Sequence, residues 1–338
     1  AVGLLALGFG VFAVASIATT AFFVALVVQV VLLRRIWREL DDPQPLSFAT
    51  EDIIALGRES LPFFWIALAI VVYQQVDVII ISLVVEDDAV LGWYSVYERL
   101  AGTLLFVPTV FMTAVFPTIS RLYADPETDT GAGGLSSRII QKSFTSMLLV
   151  SIPLGFGAAA VSKPLVVLLF GSGFADAAPI VFVGGFVLSL TYQTTILGMF
   201  LIAMDKQRQW TMFIVLGALL TIPLDLVLVP FFDANYQNGA IGAVLGFLIT
   251  ESIVLAGAIY LLPRGSLDRS SALFAVRAIV AGAVMAGAVM LVIGINLPIT
   301  ILVGALTYGL MVSLLRLVTS EDRQVIRNQL RRATRADA

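Results

Sequence analysis

Apolar runs of about 20 residues or more, each long enough to cross a hydrocarbon core of roughly 30 Å, recur along the chain. They lie at about 8–34, 61–85, 89–119, 139–161, 178–204, 210–232, 239–262, 272–294 and 297–318, with mostly short polar gaps between them. The pattern predicts an all-α polytopic bundle of about nine transmembrane helices, with residues 1–7 as the tail of an earlier helix. Residues 163–170, Lys-Pro-Leu-Val-Val-Leu-Leu-Phe, are apolar but too short to span, and Gly171-Ser-Gly173 closes them. They read as an interfacial or re-entrant helix.

Composition agrees. The 338 residues are 59% hydrophobic and 13% charged, with mean hydropathy +0.99, against roughly a quarter charged in an ordinary soluble domain. No cysteine and no histidine is present, which removes disulfides, thiolate nucleophiles and imidazole bases or ligands. No catalytic residue, metal site or cofactor is expected, and nothing suggests a nucleic-acid partner. The chain starts at Ala1 inside an apolar run, so it is expected to be a fragment or processed chain preceded by further membrane helices.

The position of charge matters more than its net value of -3, because basic loops stay cytoplasmic. Alternating nine spans puts 18 of the 20 basic residues on one side, from Arg34 and Arg35 to the tail residues Arg331, Arg332 and Arg335. Only Arg99 and Lys163 lie towards the other, where Glu86, Asp87, Asp88, Asp176 and Asp233 collect. That predicts a multi-pass protein of the cell membrane with a cytoplasmic C-terminus. The organisation expected is a last N-terminal-lobe helix at 1–35, a cytoplasmic linker at 36–60 and a six-helix lobe at 61–262. Two additional spans follow at 263–320, then a basic tail at 321–338 resting on anionic lipid. Within the linker, 47–59 reads as an amphipathic surface helix. Pro108, Pro117, Pro153 and Pro223 lie inside spans and invite kinks.

An ionisable group inside a span costs at least about 2.5 to 3.5 kcal/mol on insertion scales, so Asp77, Glu98, Arg99, Asp225, Glu251 and Arg277 each ask for a partner or a task. Arg277 can snorkel to the surface. Asp77 and Arg99 lie ten residues before and twelve after Asp87, at similar depth. Two readings fit them: a cavity pair in which Arg99 forks onto a phosphate, or an interfacial belt of Trp93, Tyr94 and Tyr97 with Glu98 and Arg99 at headgroup level. Tyr73, Gln74 and Asp77 share one side of their helix, and Tyr192 and Gln193 sit near mid-depth in Thr191–Thr195. These line a hydrated cavity or hold helices together. Asp225 and Glu251 are candidates for proton or cation coupling, and Glu251 can equally stand there uncharged. Small residues at Ala281, Gly282, Ala283, Ala286, Gly287, Ala288, Gly304 and Gly309 read as close helix packing.

Several stretches carry a resemblance: Leu61-Pro62 through Asp77, Val90-Leu-Gly-Trp-Tyr-Ser-Val-Tyr-Glu-Arg-Leu100, Phe106-Val-Pro108, Val115-Phe-Pro-Thr-Ile-Ser-Arg121, Pro164 to Gly171, Phe174 to Ala178, Pro223 to Pro230 and Asn238 to Ala243. Together they resemble polysaccharide flippases of the multidrug, oligosaccharidyl-lipid and polysaccharide exporter superfamily, over about residues 8–320. The resemblance implies helices six to fourteen of a fourteen-helix fold. It implies translocation of a polyprenyl-diphosphate-linked oligosaccharide by alternating access, with Arg99, Asp77, Gln74, Tyr73, Tyr192 and Gln193 as substrate-binding candidates. Membrane lipids, H+ or Na+, a polysaccharide polymerase and glycosyltransferases are the implied partners. Asp225 departs from the family pattern, which usually has asparagine there. The alternatives are a cation-coupled drug exporter, a lipid II flippase, a membrane glycosyltransferase, for which Glu86-Asp87-Asp88 is cramped, and a non-transporting scaffold.

Overall fold

The computed structural model describes residues 11–38, 50–124 and 134–318; residues 1–10 with the expected tail of an earlier helix, linker residues 39–49, the loop at 125–133 and the basic tail lie outside them. Among the described residues every regular element is helical. The chain divides into two compact units, Ala1–Pro62 and Phe63–Ala338. In the first, α1 (Val11–Arg38) exposes apolar side chains from Phe22 to Leu33. α2 (Thr50–Val84) begins in that unit and continues into the second. From Thr50 on, the amphipathic stretch assigned to the linker forms the opening turns of a long helix, with Ile54 and Leu56 exposed.

The second unit continues with α3 (Asp88–Leu104), α4 (Phe106–Ala124), α5 (Leu135–Ala160) and the short α6 (Ser162–Phe170). A 3-10 turn over Ser172–Ala177 leads into α7 (Ala178–Ala203), then α8 (Gln207–Tyr236), α9 (Gly239–Leu261), α10 (Arg269–Val292) and α11 (Leu297–Leu314). Among the described residues seven stretches are long and apolar enough to cross a membrane: Asp88–Tyr123, Leu135–Ala160, Ser172–Ala203, Gln207–Tyr236, Gly239–Leu261, Arg269–Val292 and Leu297–Leu314. They overlie the last seven expected spans. α1 and α2 overlie the first two, and α2 holds the shorter apolar stretch Ile70–Val84.

α7 has no distinctly polar side, as suits a helix at the centre of a bundle. It packs against α5, α9, α4, α3 and α8. α8 and α9 form a closely packed antiparallel pair, α10 lies along α5, and α11 packs on both α10 and α5. The reversals put Arg121, Arg138, Lys206, Arg208 and Arg269 at one end of the bundle. Glu86, Asp87, Asp176 and Asp233 fall at the other, and α6 with its 3-10 turn also lies there.

Polar groups at the ends are satisfied locally. The Asp87 carboxylate accepts from the Ala89 amide at 2.9 Å and starts α3. The Asp268 carboxylate caps α10, and hydrogen bonds from Ser270 and from the Ser271 amide hold it below the usual carboxylate range. At the C-terminus of α9, Lys206 donates to the Leu261 carbonyl at 2.6 Å, where a cation also meets the negative end of the helix dipole.

One expected span differs. Residues 89–119 read as a single helix, but the structure has two, meeting at Leu105. The cause is Pro108, the third residue of α4. It has no N–H for the Leu104 carbonyl, and its ring crowds that carbonyl.

Candidate functional site

The polar residues singled out by sequence separate into two groups. One is a network buried between helices. The Tyr94 hydroxyl of α3 donates to the Asp77 carboxyl of α2 at 2.5 Å, and Asp77 is 2% exposed. Asp225 of α8, fully buried, lies within hydrogen-bonding reach of Asp77. Both carboxyl oxygens of Asp225, and Oδ1 of Asp77, have no donor among the described residues. Gly246 of α9 makes room for the Asp225 carboxyl, since a Cβ there would overlap Oδ1. Two bare carboxylates so placed repel strongly in a medium of low dielectric, so the pocket suits a proton or a small cation held between them.

One turn along α2 from Asp77, the Tyr73 hydroxyl donates to Oε2 of Glu251 at 2.8 Å, and Thr194 of α7 donates to Oε1. Glu251 thereby ties α2, α7 and α9 together, with both oxygens occupied. Thr221, four residues before Asp225, and Thr250, next to Glu251, meet with their hydroxyls 3.2 Å apart and both fully buried. Among the described residues no group of three or more His, Cys, Asp or Glu could hold a metal ion.

Tyr192 and Gln193 are also buried inside the lobe. The Tyr192 hydroxyl donates to the Leu104 carbonyl at 2.6 Å, and the Gln193 amide donates to the Ser151 hydroxyl at 3.3 Å. With Tyr73 they lie inside the helix packing rather than on an open surface.

The second group is exposed. Arg99 of α3 and Gln74 of α2 are both on the surface of the unit. They lie twelve and thirteen residues from Asp87, so at 1.5 Å per residue both are about 18 to 20 Å from the turn and level with one another. Thr103, Thr109 and Thr113 continue the exposed polar positions along α3 and α4. Asp77, by contrast, is turned into the bundle. Its hydrogen-bonding neighbours are Tyr94 and Asp225, so the structure does not bring Asp77 and Arg99 together as a pair.

The belt reading of α3 is replaced as well. Tyr94 and Tyr97 are 2% and 6% exposed and stack edge-on in the interior. Sequence reasoning missed Tyr94 as the partner of Asp77 because depth was counted from Asp87; α2 ends at Val84 and α3 starts at Asp88, so Asp77 seven residues before the one end and Tyr94 six after the other are nearly level. The Thr221–Thr250 contact was also missed, since lone threonines in apolar helices carry no signal until the α8–α9 pairing is known.

This is a polytopic helical membrane protein whose fold is similar to part of a solved lipid flippase. The lipid II flippase MurJ, in an inward closed conformation, matches with a TM-score of 0.63 at 15% identity, over 80% of this chain and 56% of that one. The chain therefore spans little more than half the length of that structure. Residues 1–123 match the family model described as polysaccharide biosynthesis protein. No curated protein matches the sequence. The family match covers residues 1–123 of the 338, and the likeness to the solved structure is one of fold.

Proposed function

We propose that the protein takes part in moving a polyprenyl-diphosphate-linked oligosaccharide from the cytoplasmic to the outer leaflet of the cell membrane, by alternating access, for polysaccharide biosynthesis. The observation that carries this reading is Arg99, exposed on α3 at membrane depth and level with exposed Gln74. A charged side chain does not face hydrocarbon at that depth without a cost of at least about 2.5 kcal/mol. The α2–α3 surface therefore suits the wall of a hydrated cavity, and Arg99 supplies a planar fork for a diphosphate. The basic end of the bundle faces the cytoplasm in this reading, which places the C-terminus there too.

Asp225 with Asp77 is the coupling site, taking a proton or Na+ whose binding biases the lobe between its two orientations. Asp225 has free oxygens where Glu251 has none, and so it is favoured over Glu251 for that task. A second reading, a lipid II flippase, is favoured by the fold match to MurJ; its substrate shares the polyprenyl-diphosphate group, so Arg99 has the same role in both.

The test is flipping by the purified protein in proteoliposomes, read as the fraction of lipid-linked oligosaccharide reached by an external glycosidase. Arg99→Lys is expected to slow flipping at least tenfold, because lysine presents a point charge without the fork. Asp225→Asn is expected to leave flipping insensitive to an imposed ion gradient. Full activity of Arg99→Lys would sink the phosphate assignment, and undiminished gradient dependence of Asp225→Asn the coupling assignment.

A further inference from the structure

Two tyrosine hydroxyls among the described residues bond to backbone, and their targets are related. Tyr192 of α7 donates to the Leu104 carbonyl at 2.6 Å, and Tyr308 of α11 donates to the Leu149 carbonyl at 3.0 Å. Leu104 is four residues before Pro108, and Leu149 is four residues before Pro153. In a helix the carbonyl of residue i accepts from the amide of residue i+4, and proline has no amide hydrogen to give. Both tyrosines have thus found a carbonyl that a proline leaves without its helical partner. Each comes from a neighbouring helix, and each is buried, at 0% and 8% exposure. In hydrocarbon an unmet carbonyl has no water to turn to, so each site has a use for one donor and receives one.

The first case bears on the cavity wall. Pro108 divides the expected single span into α3 and α4, and Arg99 lies five residues before the carbonyl that Tyr192 holds. α7, which carries Tyr192, packs against both α3 and α4, so it grips the joint from the side. The second case ties α11 to α5 across the helix pair that extends the six-helix lobe.

We propose that Tyr192 and Tyr308 are positioning residues, each replacing from the side the backbone hydrogen bond a proline removed, and that Tyr192 thereby fixes the angle at which the Arg99-bearing helix α3 meets α4. Only the link to transport rests on the flippase reading; the fixing of the bend stands apart from it.

The absence of native cysteine allows a clean test. Ala89→Cys and Thr118→Cys, both at exposed positions, take a unique pair of spin labels flanking the joint, about 44 Å apart along the helix path at 1.5 Å per residue. Their distance distribution by pulsed electron spin resonance is expected to be narrow in the full chain in proteoliposomes. Tyr192→Phe, which removes one oxygen and little else, is expected to broaden or displace it. Adding Pro108→Ala restores an amide to the Leu104 carbonyl, so the double variant is expected to be narrow again at a longer distance. A distribution unchanged by Tyr192→Phe, or one still broad in the double variant, overturns the proposal at this joint.

The second joint is tested by stability. Tyr308→Phe is expected to shift the unfolding equilibrium about threefold, the size of an average side-chain hydrogen bond in a membrane protein. In a Pro153→Ala background that penalty is expected to vanish; an equal penalty in both backgrounds overturns the assignment of Tyr308. If Tyr192→Phe alters the bend and flipping of the lipid-linked substrate is unchanged, the role given to Arg99 fails while the positioning role stands.

Discussion

Glu251 shows how a mid-membrane carboxyl is accommodated. Its two oxygens accept from Tyr73 and Thr194 on two other helices, and Tyr73 is held in turn by edge-on packing against Phe247, with ring centroids 5.5 Å apart. Removing the carboxyl while keeping the bulk leaves the buried Tyr73 hydroxyl without an acceptor, which costs about 1–3 kcal/mol, whereas Thr194 can turn to the Thr191 carbonyl at 3.1 Å. Glu251→Leu is expected to lower stability by that amount, and Glu251→Gln by less, since the amide keeps an acceptor oxygen for one hydroxyl. Thermal unfolding of the purified variants checks this, and wild-type stability in Glu251→Leu would remove its role as a tie between helices. At this scale the sequence was informative about which residues matter and uninformative about their partners. Expensive charges stand out in an apolar span, so Asp77, Asp225 and Glu251 were legible. Their pairing with Tyr94, Tyr73 and Thr194 depends on which helices are neighbours, and that is not written locally. For Tyr192 and Gln193 the sequence left cavity lining and helix packing both open, because polarity at mid-depth has two uses, and their burial and hydrogen bonds put them in the packing.

Helix contacts depend on where small residues fall against one another. Among the glycines flagged near the C-terminal end, Gly282 sits against Ile152 and Gly304 against Val289, while Gly287 and Gly309 have open space beside them. The closest crossing lies elsewhere, between α5 and α7. A Cβ on Gly155 or Gly185 would overlap the carbonyl oxygen of the other residue. Beside it the Ser189 hydroxyl donates to the Ser151 carbonyl at 3.2 Å. Gly185→Ala is expected to destabilise the bundle by about 1–3 kcal/mol through forced separation of the helices. Gly287→Ala is expected to be neutral or to stabilise by up to about 1 kcal/mol through helix propensity. Chemical denaturation in mixed micelles distinguishes them, and equal effects would contradict the packing described. The existence of the helices was legible throughout, because apolar length is a strong signal. The break at Leu105 was less so: Pro108 announced a kink, but that the Leu104 carbonyl it frees finds a donor on α7 is not written locally.

For the whole molecule, the arrangement keeps two kinds of polar chemistry apart. The carboxyl network is sealed between α2, α3, α7, α8 and α9, whereas Arg99 and Gln74 stand on the open surface of the unit. In the proposed reading the coupling ion and the anionic cargo are held at separate sites. An inside-negative potential also favours outward movement of an anionic headgroup by about 2.3 kcal/mol per charge per 100 mV. The alternation of spans was legible from the distribution of basic residues, and the helix reversals reproduce its separation of basic and acidic ends. The division between sealed network and open face was not legible, because hydropathy does not say which side of a helix its neighbours cover. The measurement that tests the central claim most directly compares two lipids in proteoliposomes containing the wild-type protein under an imposed inside-negative potential. One is a polyprenyl-diphosphate oligosaccharide; the other is the same oligosaccharide on an uncharged polyprenyl linker. The expected result is protein-dependent flipping of the diphosphate lipid, accelerated by the potential, with the neutral lipid moving at the rate of protein-free vesicles. Equal movement of both lipids, or none of either, would contradict the account.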